Sequence, residues 1–324
     1  MNRQGAGFTA GPPGLRRDGL LLLGLWLIGL VLDALWVQQH QLPPAWDQGD
    51  HLSRALGFLE VLKQPALLDG AWWHRLWDQS PSYRGPLTYI ISAPVLAALG
   101  PGYGSAILSN SLFQGLLLIS IYGQGRLLGR PAAGLWAALL TGLAPALLNQ
   151  RTDYLIDFSL TAVLAACWTL LSWRVLDGGR HPWRLSGACG LALGAVLLTR
   201  PTGLLLLWLP LLALLIRAIR QLGRGRWQGL AQTALAAALA WLVAGGWFSQ
   251  NWLTILSTVN KARQWGVAYQ EGMGATSLAG WLYYPLALPG MVGIWVLALV
   301  VGATLVPWLR QQTLPRWTGD RRQW

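Results

Sequence analysis

The stretch Gly19-Leu20-Leu21-Leu22-Leu23-Gly24-Leu25-Trp26-Leu27-Ile28-Gly29-Leu30-Val31-Leu32-Asp33-Ala34-Leu35-Trp36-Val37 decides the fold class. It carries one charge, Asp33, over the length that a membrane-spanning helix needs, roughly 20 predominantly apolar residues. The apolar part of a signal peptide is the alternative. Asp33 interrupts the run and no small-x-small cleavage pattern follows, so an uncleaved first span is expected.

Working outward, the same signature recurs along the 324 residues. Charged residues make up 11% and apolar ones 54%, and mean hydropathy is +0.41. A soluble domain carries about 25% charged residues, so this balance points away from a water-soluble globule. The abundance of Leu, Ala and Trp excludes disorder. Further apolar runs at 105–125, 131–148, 157–176, 185–199, 201–216, 229–248 and 284–308 predict about eight transmembrane helices in one integral membrane domain over 1–324. The run 86–100, bounded by Pro86 and Pro101, is too short to cross and is expected to be a juxtamembrane helix. Cys167 and Cys189 sit inside apolar runs and read as small hydrophobes.

The chain has 24 Lys and Arg against 12 acids, a net charge of +12. In a soluble protein this excess would suggest nucleic acid; in so apolar a chain it suggests basic cytoplasmic loops and no nucleic-acid partner. With the N-terminus inside and 86–100 not crossing, 16 of the 24 basic residues fall on the inner face, including the group Arg217, Arg220, Arg224 and Arg226. Eight basic residues (Arg54, Lys63, Arg75, Arg84, Arg151, Arg200, Lys261, Arg263) and eight acids fall outside. Letting 86–100 cross destroys the bias, so both termini are expected in the cytoplasm, with 38–104 and 249–283 as long outer loops. The protein is therefore expected in the plasma (inner) membrane, multi-pass, among membrane lipids. Trp36, Trp46, Trp72, Trp73, Trp77, Trp247, Trp252, Trp265 and Trp281 fall at or beyond the outer boundary, where indole rings favour the headgroup level.

The outer loops carry the chemistry. Leu52, Ala55, Leu56, Leu59 and Leu62 recur at three- and four-residue steps, predicting an amphipathic helix at the interface. Asp47, Asp50 and His51 group at its start. Asp47 could cap the helix; the group could also supply a general base or bind a divalent cation. A second acidic cluster holds Asp153 and Asp157 at the mouth of the fourth span, where either could cap the helix or face the protein interior. Arg200, in Leu198-Thr199-Arg200-Pro201, ends the fifth span with almost no loop to carry it into water. It either snorkels or, with Arg84, Lys261 and Arg263, holds an anion such as a lipid phosphate, which guanidinium groups bind in a fork. No Walker-type or dinucleotide-binding Gly loop occurs, and no zinc-type spacing, so no metal site and no cofactor is assigned.

The order of these motifs resembles the GT-C membrane glycosyltransferases of family 39, which include protein O-mannosyltransferases and lipid A aminoarabinose transferases. Trp46-Asp47-Gln48-Gly49 resembles the family's Asp-Glu loop. Tyr83-Arg84-Gly85-Pro86-Leu87-Thr88-Tyr89 resembles its His-Pro-Pro-Leu-x-Tyr, with Arg84-Gly85 in place of His-Pro. Asp157-Phe158-Ser159-Leu160-Thr161 resembles its second acidic site, and Leu198-Thr199-Arg200-Pro201 stands where Thr-Lys is common. Ser109-Asn110-Ser111 stands where members often have Arg. The resemblance spans roughly 19–260. It implies a GT-C-like helical bundle with juxtamembrane helices in the first outer loop. It also implies inverting transfer of a sugar from a polyprenyl-phosphate donor to a lipid, glycan or protein hydroxyl on the outer (periplasmic) face. Within that resemblance Asp47 is expected as the base, Asp50 and Asp157 as further catalytic carboxylates that orient acceptor or sugar, and Arg200 and Arg84 as phosphate holders. His51, Asp153, Tyr89, Lys261 and Arg263 are expected to line the substrate site. A transporter or flippase of a lipid-linked substrate is the rival expectation; it calls for charges deep within the spans, whereas most charges here lie at the boundaries.

Overall fold

The computed structural model describes residues 14–41, 43–80, 84–176, 182–268 and 277–313. Among them every regular element is helical. Helix α1 (Leu15–Gln39) is the first span; at 1.5 Å per residue its 25 residues reach about 37 Å, enough to cross the hydrocarbon layer. The segment that follows folds into α2 (Trp46–Leu62), α3 (Gly70–Asp78) and α4 (Leu87–Leu99). The predicted amphipathic helix and the short juxtamembrane helix are both present.

The bundle proper follows: α5 (Tyr103–Leu127), α6 (Pro131–Gly142), α7 (Pro145–Thr152), α8 (Ile156–Leu176), α9 (Pro182–Thr199), a 3₁₀ turn over Pro201–Leu207 running into α10 (Trp208–Leu222), and α11 (Gln228–Ala268). Helices α12 (Leu278–Val292) and α13 (Ile294–Thr313) complete the described chain. Among the described residues five helices are long and apolar enough to cross a membrane, or up to seven if each bent pair is one span. The shorter α9, the remaining predicted run, packs between α8 and α11.

Three spans differ from expectation. The run 131–148 is α6 and α7, bent by 58° at a break before Pro145, whose missing N–H cannot continue the helix. The run 284–308 is α12 and α13, turned by 104°. The turn sits at Gly293, with φ +96°, a conformation that glycine adopts without steric cost. Such a pair is a broken span or a re-entrant loop, not a straight crossing. Helix α11 is 41 residues long and runs on through 249–268, so the first part of the expected outer loop 249–283 is helical; 269–276, with Glu271, lies outside the described residues.

Helix approach is set by small residues, as expected where lipid leaves little hydrophobic force between helices. A Cβ at Gly190 would lie 2.4 Å from the Ala236 carbonyl oxygen, and one at Gly194 2.6 Å from Val243 Cβ. The α9–α11 seam therefore needs both. A Cβ at Gly125 would lie 2.3 Å from Gly134 Cα, which accounts for Gly123-Gln124-Gly125 as a close-packing point between α5 and α6. Cys167 and Cys189 are buried in the apolar core of α8 and α9. Trp72, Trp77 and Trp247 are also buried, in the core beneath the first outer loop, rather than lying at headgroup level. The Trp247 indole N–H donates to the Ser80 carbonyl at 2.9 Å, so a protein partner takes the role that interfacial water would have had. Trp46, Trp252 and Trp281 remain exposed as expected.

Two outcomes follow. Gly190→Ala destabilises the chain in detergent by about 1–3 kcal/mol through overpacking, while Gly187→Ala, whose Cβ would meet Leu239 at an ordinary 3.5 Å, leaves stability unchanged; chemical denaturation compares them. A single cysteine at position 69 reacts with an impermeant reagent in intact cells and one at position 224 does not. The reverse pattern overturns the orientation.

Candidate functional site

The site is assembled where α2, the segment before α4, the α7–α8 turn and the end of α9 meet. Its hinge is a backbone contact. Gly85 N–H donates to the Thr199 carbonyl at 3.0 Å. A Cβ at Gly85 would sit 2.0 Å from the Leu198 carbonyl oxygen, so only glycine admits this approach. The contact sets Arg84 and Arg200, 116 positions apart in the sequence, on neighbouring strands of backbone. Ser80 Oγ donates to the Arg84 carbonyl at 2.5 Å, holding the same segment from the other side.

Arg84 reaches across to α2. Its Nη1 donates to Asp50 at 2.7 Å and its Nη2 to Asp47 at 3.0 Å. The two carboxylates lie three residues apart on one helical face, the spacing that lets one guanidinium span them. Asp50 also accepts from Arg54 Nε at 3.0 Å, one turn on. Partial burial works to raise the Asp50 carboxyl, but the Arg54 hydrogen bond and the two guanidinium charges prevail and hold it below its usual range. Asp47 is not the helix cap: α2 starts at Trp46, its N-cap is Ala45, and Asp47 points to Arg84 from the first turn. Arg84 also takes the position between the two acids that a divalent cation would need. Among the described residues no group of three or more His, Cys, Asp or Glu could hold a metal ion.

His51 and Tyr89 form the floor. The His51 Nδ1 and Tyr89 hydroxyl are 2.6 Å apart, and both side chains are buried. Burial and the nearby Arg84 charge push the imidazole down to about 4, so it is neutral at ordinary pH. Burial likewise raises the Tyr89 phenol. Both were expected to line the substrate site. The structure buries both side chains, with Tyr89 stacked on Phe58 at 5.8 Å.

The second acidic cluster splits. Asp157, in the first turn of α8, accepts from Arg200 Nη1 at 3.2 Å. Arg200 thus has a carboxylate partner, a third arrangement beside the snorkelling and the lipid-phosphate contact expected from the sequence. Asp153 contributes its backbone rather than its side chain: its carbonyl and that of Arg151 both accept from Asn110 Nδ2, at 3.0 and 2.9 Å. Lys261 is exposed on α11, and no described contact joins it to the cluster. Arg263 lies on the same helix, and its side chain, like Tyr83, is outside the described residues.

Sequence reasoning passed over four contributors. Arg54 was readable from its i,i+4 spacing to Asp50. Asn110 stood in a noted departure from the family pattern. Asp33 and Arg151 form a buried ion pair at 2.7 Å between α1 and α7, just before the turn that carries Asp157. Nothing local in the sequence joins residues so far apart. Intramembrane charges pair in this way because an unpaired one is costly.

Comparison with known proteins bears on the fold. No family model matches the chain, and no curated protein does. Among solved structures, the crystal structure of ArnT from Cupriavidus metallidurans bound to undecaprenyl phosphate is similar, at 18% identity and a TM-score of 0.51. The match covers 95% of this chain and 52% of that one, so the chain spans about half the length of that structure. The likeness shows a shared fold, a polytopic helical bundle.

Proposed function

We propose that this chain is an inverting glycosyltransferase that moves a sugar from a polyprenyl-phosphate donor to an acceptor hydroxyl on the non-cytoplasmic face of the inner membrane. The observation that carries the reading is the gathering of Asp47, Asp50 and Asp157 with Arg84 and Arg200 around the Gly85–Thr199 contact. Two motif-bearing segments far apart in sequence contribute a guanidinium each to one mouth. The fold shared with a protein whose structure holds undecaprenyl phosphate supports the donor class, and the motif order supports family 39.

The chemistry follows from the charges. The acceptor hydroxyl oxygen attacks the anomeric carbon, and the bond from that carbon to the phosphate oxygen breaks. Its electron pair leaves on the polyprenyl phosphate. The proton of the hydroxyl goes to a carboxylate. Asp47 suits this role best: its side chain is 60% exposed, against 38% for Asp50, which two guanidinium groups hold ionised and occupied. A general base contributes typically 10²–10⁴-fold.

Arg84 and Arg200 would stabilise the charge that develops on the leaving phosphate. In the described structure both sit on carboxylates, so donor binding requires an exchange of partners: the phosphate takes the forks of Arg84 and Arg200, and Asp47 is released toward the hydroxyl. That exchange would couple base activation to donor occupancy. Asp157 and Asp50 then orient sugar and acceptor. Lys261 and Arg263, on the extension of α11, are proposed as outlying contacts for the headgroup.

The deciding experiment is mass spectrometry of membrane glycolipids and glycoproteins with and without the protein. A new glycosidic bond supports the reading; labelled lipid moved across the membrane with no new bond favours a flippase instead. Within this reading, Asp47→Asn keeps the shape of the side chain and loses its basicity, so transfer falls at least about 10²-fold while folding is retained. Near-normal transfer would move the role to Asp50. Arg200→Gln lowers affinity for a polyprenyl-phosphate analogue by at least tenfold, and Arg200→Lys, which keeps the charge but loses the fork, lowers it less. Unchanged binding in Arg200→Gln would leave Arg200 as the partner of Asp157 alone.

A further inference from the structure

At the opposite end of the bundle a second pair of arginines meets in a cavity. Asp157 opens α8 and Arg174 lies in its last turn; the 17 intervening steps of helix rise about 25 Å. The two groups therefore lie at opposite membrane faces. The cavity, of about 160 Å³ and open on one side, is bounded by α8, α9, α10 and α11. Arg174 lines it and is only 6% exposed. Its Nε donates to Ser186 Oγ at 3.0 Å and its Nη2 to Gln232 Oε1. Arg217, also lining the cavity, donates through Nη1 to the Arg174 and Val175 carbonyls at 3.0 and 2.5 Å.

All of these partners are neutral. Among the described residues no carboxylate pairs with either arginine, whereas the buried Arg151 is paired with Asp33. The carbonyl end of α8 offsets only about half of one charge. Two guanidinium groups thus line a space whose other walls are mostly apolar, five leucines among them, with Gln221 and Thr233 as further polar groups. Uncompensated charge in such surroundings is expensive, and an anion that enters removes the cost.

We propose that this cavity binds the phosphate of a membrane lipid headgroup. The apolar walls select a lipid over a free ion. Leu215 lines the cavity and is itself exposed on the outside of α10, beside Leu212, Ile216 and Ile219. The opening therefore faces the hydrocarbon side, where acyl chains would lie along α10. Inorganic phosphate shares the chemistry of the guanidinium contact, but it would have to shed its hydration against leucines with no tail to repay the loss. The site is separate from the candidate glycosyl-transfer site and does not depend on that reading.

The test uses the purified full chain in an uncharged detergent, with native mass spectrometry reading adducts of dioctanoyl phosphatidylglycerol, of dioctanoylglycerol, and of inorganic phosphate. The wild-type chain is expected to hold phosphatidylglycerol and neither of the others. Arg217→Gln, less buried than Arg174 and so the safer variant to fold, should lower that affinity at least tenfold. Arg217→Lys should fall between, and Arg75→Gln, at an exposed position on α3 outside both sites, should bind as wild type. The proposal is overturned if Arg217→Gln retains full affinity. It is overturned equally if dioctanoylglycerol binds as well as phosphatidylglycerol, which reduces the cavity to an apolar groove. Inorganic phosphate binding as tightly as the lipid removes the lipid assignment. Tighter lipid binding in Asp177→Asn would make that carboxylate, outside the described residues, the native occupant.

Discussion

The hydrogen bond from Gly85 to the Thr199 carbonyl is the constraint on which the candidate site depends. It joins the segment before α4 to the end of α9, and it exists because residue 85 has no side chain. From it follow the position of Arg84 over α2, the bridge between Asp47 and Asp50, and the nearness of Arg200 with its Asp157. A bulkier residue would push the two backbones apart, and the guanidinium groups would no longer share a mouth. The neutral His51–Tyr89 pair supports α2 from beneath. Its burial explains why a histidine next to two acids is not itself part of the charged surface.

The bundle solves a recurring problem in the same manner at several depths. Polar groups in an apolar medium must find partners within the protein. Asp33 meets Arg151 between α1 and α7. Asn110 holds two carbonyls at the α7–α8 turn. Trp247 satisfies Ser80. Each contact lies close to the candidate site, so the polar interior doubles as its scaffold. The Arg174–Arg217 cavity differs from the Asp33–Arg151 pair in that, among the described residues, its charges are met by neutral groups alone.

Close helix approach complements the polar links. Glycines at 190 and 194 bring α9 against α11, which fixes the level at which α9 ends and therefore the height of Thr199 and Arg200. The small residues of the seam thus act on the site from a distance, through the register of one helix.

The amino-acid sequence by itself determined the membrane class, the short juxtamembrane helix, the amphipathic helix bearing Asp47 and Asp50, and Arg84, Asp157 and Arg200 as charged groups of interest. Hydrophobic run length and helical periodicity are local properties, legible wherever burial is set by the solvent around a segment. Tertiary structure alone decided which charges meet. The pairing of Arg200 with Asp157, the burial of His51, Tyr89, Trp72 and Trp77, and the Asp33–Arg151 link all join residues distant in sequence. The breaks at Pro145 and Gly293 stood in the sequence as residues, but Pro and Gly are common in membrane helices. Whether each one bends the chain depends on the packing around it, which no local pattern records.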